Sequence, residues 1–434
     1  MGHGAATLTW IVSIASIICM LVRPLKIAEA YWACGGAFLL VVMRLVPSQT
    51  ATSAIKQGGN VYFFLAGMMV LAELAREEGV FDWLASGAAK HSKNSPARLF
   101  LLIYCVGVVV TALLSNDATA VVLTPAVLAV VRRVRVEDPK PYLLACAFVA
   151  NAASFIFPIS NPANLVVYGA QLPRLREWLF IYAAPALVSV VVTFAALRWL
   201  SRRALRVTMR RDLYPERLGR TGRLALIGLL LAAGALIVSS ALDVPLGLPT
   251  CVAALVALAI VTWRDRDIPA RVARGVSWSV LPLVAGLFVI VAALERAGLL
   301  SAGLAGVSWL EAHAGGAARY VAAFVLALVS NGMNNLPVAL AGGTVAANAG
   351  YASVMAHSIL LGVDLGPNLS VTGSLATILW LVALRREKID VTAWRFLRLG
   401  LLVTPPPAPF PPRPGVSESS RLLPIISPTI CRSA

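Results

Sequence analysis

Stretches of about twenty apolar residues, the length that carries a helix across a bilayer, recur through most of the chain with only short polar links between them. They fall at residues 5–22, 27–46, 61–75, 99–131, 143–169 and 178–200, and again at 224–242, 249–263, 276–294, 320–343 and 353–384. Few folds are open to such a chain. A hydrocarbon layer gives the backbone no hydrogen-bonding partner, so only helices and closed barrels persist in it, and windows of this length are helical. The composition agrees, with 13% charged residues against about 25% in a soluble domain. No long stretch has the composition of a soluble domain. The first window has neither a basic leader nor a convincing small-residue cleavage site, so it is read as a retained span and not a signal peptide.

The net charge of +17 would suit a nucleic-acid partner, but the basic residues sit in the short links, as the positive-inside rule distributes them. The most basic link, residues 198–223, is assigned to the cytoplasm, and links 264–274 and 385–388 follow if each window crosses once. Two windows do not fit single crossings. Residues 99–131 are too long for one span and short for two, with Lys90, Lys93 and Arg98 before them and Arg132, Arg133 and Arg135 after them. Two basic flanks place both ends in the cytoplasm, which makes the segment a re-entrant hairpin. Residues 320–343 have only Arg319 before them and a charge-free stretch after them, so that hairpin opens to the outside.

The directions then close, with the amino terminus outside and Arg23 and Lys26 inside. The expected fold is an all-α polytopic membrane protein, an inverted-topology repeat with two re-entrant helical hairpins and two broken transmembrane helices. Its transport site lies near the midplane, at the discontinuities. The divisions are a first membrane repeat (1–200), a basic cytoplasmic linker (201–223), a second membrane repeat (224–403) and a Pro-rich aberrant tail (404–434). Residues 77–90, where Phe81, Trp83 and Leu84 stand among charges, are read as an interfacial helix without chemistry.

Four tracts put polar groups or helix breakers at membrane depth: SNDATAVVLTP (115–125), FPISNPANL (157–165), SNGMNNLP (330–337) and VDLGPNLSVTGS (363–374). Singly, each has a plain explanation as a kink or as interhelical glue. At matching places in two inverted halves they read as a site, because non-helical backbone at that depth needs protein or a wet cavity around it. The substrate contacts are assigned to Ser115, Asn116, Asn161, Asn164, Asn334, Asn335, Asn368 and Thr372, and proton coupling to Asp117 and Asp364. The same two acids suit Na⁺ with backbone carbonyls. With no Arg or Lys in these tracts, they suit a small neutral polyhydroxy solute better than an oxyanion, which wants a cation or several helix N-termini. The six cysteines include no CxxC pair and are read as packing residues. The four histidines form no ligand cluster; His3, His91 and His313 lie in links and His357 packs. Neither a metal nor a cofactor is expected. The chain carries no HExxH, no Ser and His pair and no paired Asp motif at matched depth, which argues against an intramembrane enzyme.

These tracts, extended to SNDATAVVLTPAVLAV from Ser115, ISNPANLV from Ile159, SNGMNNLPVALAGG from Ser330 and GVDLGPNLSVTGSLATILWL from Gly362, resemble the arsenite and antimonite efflux permease family of the ion transporter superfamily. The resemblance runs over about residues 27–403. It implies a multi-pass protein of the bacterial inner membrane that extrudes trivalent arsenic or antimony hydroxides, driven by protons. It also implies an optional partnership with a soluble arsenite-stimulated ATPase, and transport without a thiol. The rivals are a sodium/proton or dicarboxylate carrier of the same superfamily, and a non-transporting membrane subunit that docks the ATPase through residues 198–223. The departure is at the end, where a last span starts at Trp394 and a proline-dense tract from Thr404 replaces its continuation. Proline at this density forms no membrane helix, and the tract is read as a shifted reading frame in preference to an exposed extension.

Overall fold

Helices make up the regular structure throughout the computed structural model, which describes residues 2–206, 217–348 and 352–404, and no strand is present among them. The tail read as frame-shifted lies outside the described residues, apart from Thr404. Among the described residues six helices are long and apolar enough to cross a bilayer, or seven if the bent pair Ser48–Gln57 and Gly59–Glu77 counts as one span. The outward faces of these helices and of the shorter apolar helices Glu29–Val42 and Gly247–Thr262 carry Ile11, Phe38, Leu187, Leu230 and Leu255, all exposed, as lipid-facing surfaces require.

The two halves repeat one order of elements. The first runs His3–Val22, Glu29–Val42, the pair bent by 47°, Val80–His91, the arms Pro96–Leu113 and Thr124–Arg133, the broken helix Lys140–Ala152 and Pro162–Tyr168, and the long helix Leu175–Leu200. The second runs Arg220–Ala241, Gly247–Thr262, Ile268–Gly275 with Val280–Arg296, Leu299–Ala314, the arms Ala318–Met333 and Asn335–Asn348, the broken helix Ala352–Leu365 and Leu375–Arg386, and Ala393–Val403.

Packing between the halves is reciprocal. Gly59–Glu77 lies along Gly247–Thr262, and its counterpart Val280–Arg296 lies along Glu29–Val42. Each crossing is close because a glycine faces backbone there: a Cβ on Gly67 would stand 2.7 Å from the Thr250 carbonyl carbon, and one on Gly286 would stand 2.7 Å from that of Ala33. Small residues at helix contacts are how membrane helices gain dispersion contacts in the absence of a hydrophobic drive.

Side-chain bonds show which ends share a side. Tyr142 Oη donates to the Pro96 carbonyl at 3.1 Å, Arg132 pairs with Glu387 at 2.6 Å, and Arg198 Nη1 reaches the Ala97 carbonyl at 3.5 Å. Both ends of residues 96–133 therefore lie on one side, together with the basic link after Leu384, and the segment is a hairpin. Folding back is visible inside it, where the Thr111 and Thr119 hydroxyls meet at 2.8 Å. At the far side Asn60 Oδ1 accepts from Gly247 N at 2.7 Å, and Arg174 pairs with Asp243 at 3.2 Å.

Two elements add to the sequence reading. Val80–His91 buries Val80, Phe81, Ala85, Ala88 and Ala89 and packs on both arms of the first hairpin, so it braces the hairpin base. Its counterpart Leu299–Ala314, which the apolar windows did not mark, packs on both arms of the second hairpin with no residue fully buried.

Candidate functional site

The two breaks are built by local capping. Asn161, with extended backbone, accepts from Ala163 N at 3.0 Å and starts Pro162–Tyr168, with Pro162 in the first turn where its missing N–H costs nothing. Ser374 does the same for Leu375–Arg386, accepting from Thr377 N at 3.1 Å. Asn164 holds the first break shut by pointing Nδ2 at the carbonyls of Ser154, Phe157 and Pro158, at 3.0, 3.3 and 3.3 Å.

Each hairpin tip is tied to the break of its own half. Ser160 Oγ donates to the Ala112 carbonyl at 3.1 Å; in the second half Thr372 Oγ1 donates to the Asn331 carbonyl at 3.0 Å, and Asn335 N donates to the Gly373 carbonyl at 2.9 Å. Each hairpin also packs on the broken helix of the other half: the π-helical turn Ala118–Leu123 on Leu375–Arg386, and Asn335–Asn348 on Pro162–Tyr168. At the end of that π turn the Thr124 hydroxyl reaches the Thr119 carbonyl at 3.4 Å, just before Pro125, which has no N–H to give.

Two buried bonds between polar side chains join the halves at the breaks. Asn161 Nδ2 donates to Asp364 Oδ1 at 2.7 Å, and Asn151 Nδ2 donates to Asn368 Oδ1 at 3.0 Å. All four residues are buried, with Asp364 1% and Asn368 0% exposed. Each bond leaves one atom without a protein partner, Asp364 Oδ2 and Asn368 Nδ2; Asn164 Oδ1 and Asn331 Oδ1 are likewise unpaired. Buried polar atoms in this state cost about 1–3 kcal/mol each, which water or a ligand recovers. The set offers one donor and three acceptors, and no fixed cation.

Asn161, Asp364 and Asn368 are thus brought together, with Asn164 behind Asn161. The rest of the expected set stands at the tips, except Thr372, which lies in the second break. Ser115 Oγ accepts from Ala118 N at 3.1 Å and Asn116 Oδ1 from Asp117 N at 2.9 Å, both as local caps. Asp117 is half-buried, and its carboxylate has no bonded partner among the described residues. Asn334 turns the second tip with φ 74° and Oδ1 3.4 Å from Leu336 N. It lines a small cavity with Met20, Glu29, Met333 and Pro337. The Asn335 side chain is buried, and Thr372 bonds the Ser370 hydroxyl at 3.1 Å. Asn151 was not anticipated. Its one sequence sign is a carboxamide at the end of an otherwise apolar helix, just before a break.

The family described as Citrate transporter (CitMHS) matches residues 10–367. The chain belongs to that family. Curated relatives include arsenical pump membrane proteins from Escherichia coli strain K12, 27% identical over 91% of this chain and 94% of the relative, and from Yersinia enterocolitica, 28% identical over 84% and 85%. An uncharacterized transporter of Mycobacterium tuberculosis is 27% identical over 89% of this chain and 92% of its own length. Among solved structures, the YdaH transporter of Alcanivorax borkumensis, described as having an unusual topology, superposes with a TM-score of 0.55 at 15% identity, covering 82% of this chain and 84% of that one. This CitMHS protein is therefore a multi-pass transporter of the bacterial inner membrane and not an enzyme.

Proposed function

We propose that the transporter exports arsenite and antimonite from the cytoplasm in exchange for protons. The observation that carries the reading is the pair of unpaired atoms at the join of the halves, Asp364 Oδ2 and Asn368 Nδ2. Arsenous acid is a small, largely undissociated trihydroxide at neutral pH. One hydroxyl can accept from Asn368 Nδ2 while another donates to Asp364 Oδ2. A proton on Oδ2 and a hydroxyl donated to Oδ2 exclude one another, so the same atom serves substrate on one side of the membrane and proton on the other. That competition is the elementary requirement of exchange. Asp117, with a carboxylate free of protein bonds, is the second candidate carrier. The arsenical pump names of the relatives support the substrate. The family's citrate description is the less suitable guide here, because a polyanion wants cations and the four tracts hold no Arg or Lys.

The test is arsenite uptake into everted membrane vesicles with a proton gradient imposed or collapsed. Uptake that follows the gradient supports the proposal, and uptake indifferent to it removes the coupling. A soluble ATPase remains an optional partner. The link assigned to it includes residues 207–216, which lie outside the described residues.

A further inference from the structure

Asp364 and Asn151 each stand one residue before the end of the first segment of their broken helix, and each is joined to the other half by a carboxamide. Asp364, near the end of Ala352–Leu365, bonds Asn161 in the break of the first half; Asn151, near the end of Lys140–Ala152, bonds Asn368 in the break of the second. We infer that Asn151 is the counterpart of Asp364 and acts as a positioning residue, fixing which atom of Asn368 faces the substrate. It touches no substrate itself. Its Nδ2 engages Asn368 Oδ1, so Nδ2 is the Asn368 atom left unpaired and free to donate to a substrate. Asn161 acts alike on Asp364: its Oδ1 is committed to Ala163 N, so it can only donate, and Asp364 Oδ2 is left as the free acceptor. Two carboxamides of the first half thereby leave the second half with one free donor and one free acceptor, which is the pairing that a hydroxyl-bearing solute matches. This inference rests on the proposed substrate class, but its logic is a polarity rule that can be inverted.

In Asn151→Asp the new carboxylate can only accept, so Asn368 turns its amide nitrogen toward it and leaves its oxygen free, and the substrate then meets two acceptors. In Asp364→Asn the amide oxygen keeps the Asn161 bond and the amide nitrogen is left free, and the substrate then meets two donors. The double variant again has one donor and one acceptor, with their sides exchanged. The experiment is arsenite counterflow in proteoliposomes, which needs no proton gradient. Each single variant should raise KM about tenfold with a much smaller change in kcat, and the double variant should return to within about threefold of wild type while staying uncoupled from protons. Asn151→Ala, which frees Asn368 without adding charge, should give an intermediate KM and covers the case in which the charged single variant does not reach the membrane. An unchanged KM in Asn151→Ala, or a double variant as impaired as the product of the singles, would overturn the inference. Absence of arsenite counterflow in the wild type would instead strike the proposed substrate. The melting temperatures of the purified variants then carry the same test, with recovery in the double variant expected and additive losses overturning it.

Discussion

At the residue scale, the chemistry proposed for the transporter centres on the Asp364 carboxylate, which Asn161 bonds across the halves and Ser154 also approaches. Asp364→Asn keeps the Asn161 bond and the start of Pro162–Tyr168, so the protein should reach the membrane at wild-type levels while gradient-driven arsenite uptake falls tenfold or more. Asp117→Asn should lower uptake less, because the Asp117 carboxylate makes no bond across the halves; uptake unchanged in both variants would take the two acids out of the mechanism. Asn161→Ala is a different lesion. It removes a helix N-cap, about 1 kcal/mol, and leaves a buried carboxylate oxygen unpaired, about 1.5–3 kcal/mol more, and should show as a lower melting temperature in detergent. Asn161, Asp364 and Asn368 were legible in the sequence because polar groups stood in apolar windows beside Pro and Gly. Asn151 was not, since a lone Asn in an apolar helix reads equally as interhelical glue. Nor could the sequence tell that Asn164 spends its amide nitrogen on three carbonyls of its own break.

At the element scale, the second broken helix meets its hairpin through a pair of glycines one turn apart. A Cβ on Gly362 would stand 2.5 Å from the Ala323 carbonyl oxygen, and one on Gly366 would stand 2.6 Å from that of Ala327. Two helices with small residues four apart therefore approach backbone to backbone. Gly362→Val has no flexible side chain to displace and must push the arm Ala318–Met333 away. It should cost about 1–3 kcal/mol as an overpacked contact, read as a lowered melting temperature; a melting point equal to wild type would show that the arm yields freely. The first hairpin was readable because charge flanks both of its ends. Reporters fused after Arg98 and after Arg132 should both report cytoplasm, and opposite readings would undo that assignment. Leu299–Ala314 was not readable, because Gly, Ser, His and Glu interrupt its apolar residues; only its likeness in position to Val80–His91 explains it.

At the scale of the whole molecule, inversion brings polar groups of both halves to one place without importing a fixed positive charge, and the proposed choice of substrate follows from that. Asn161 and Asn151 come from the first half, Asp364 and Asn368 from the second, and the four tracts that frame them contain no Arg or Lys. A neutral trihydroxide enters such a site for the cost of its own hydrogen bonds with water, which the carboxamides and the carboxylate replace. Arsenate carries charge at neutral pH. It meets Asp364 as a like charge, and removing it from water without a partner costs several kcal/mol. A discrimination of only about 3 kcal/mol is already more than a hundredfold in rate. Vesicles free of arsenate reductase should therefore accumulate arsenite and antimonite and leave arsenate outside, at every gradient imposed. Arsenate uptake at a rate rivalling that of arsenite would mean that a cation reaches the site from elsewhere in the chain, and the neutral-site reading would fall with it.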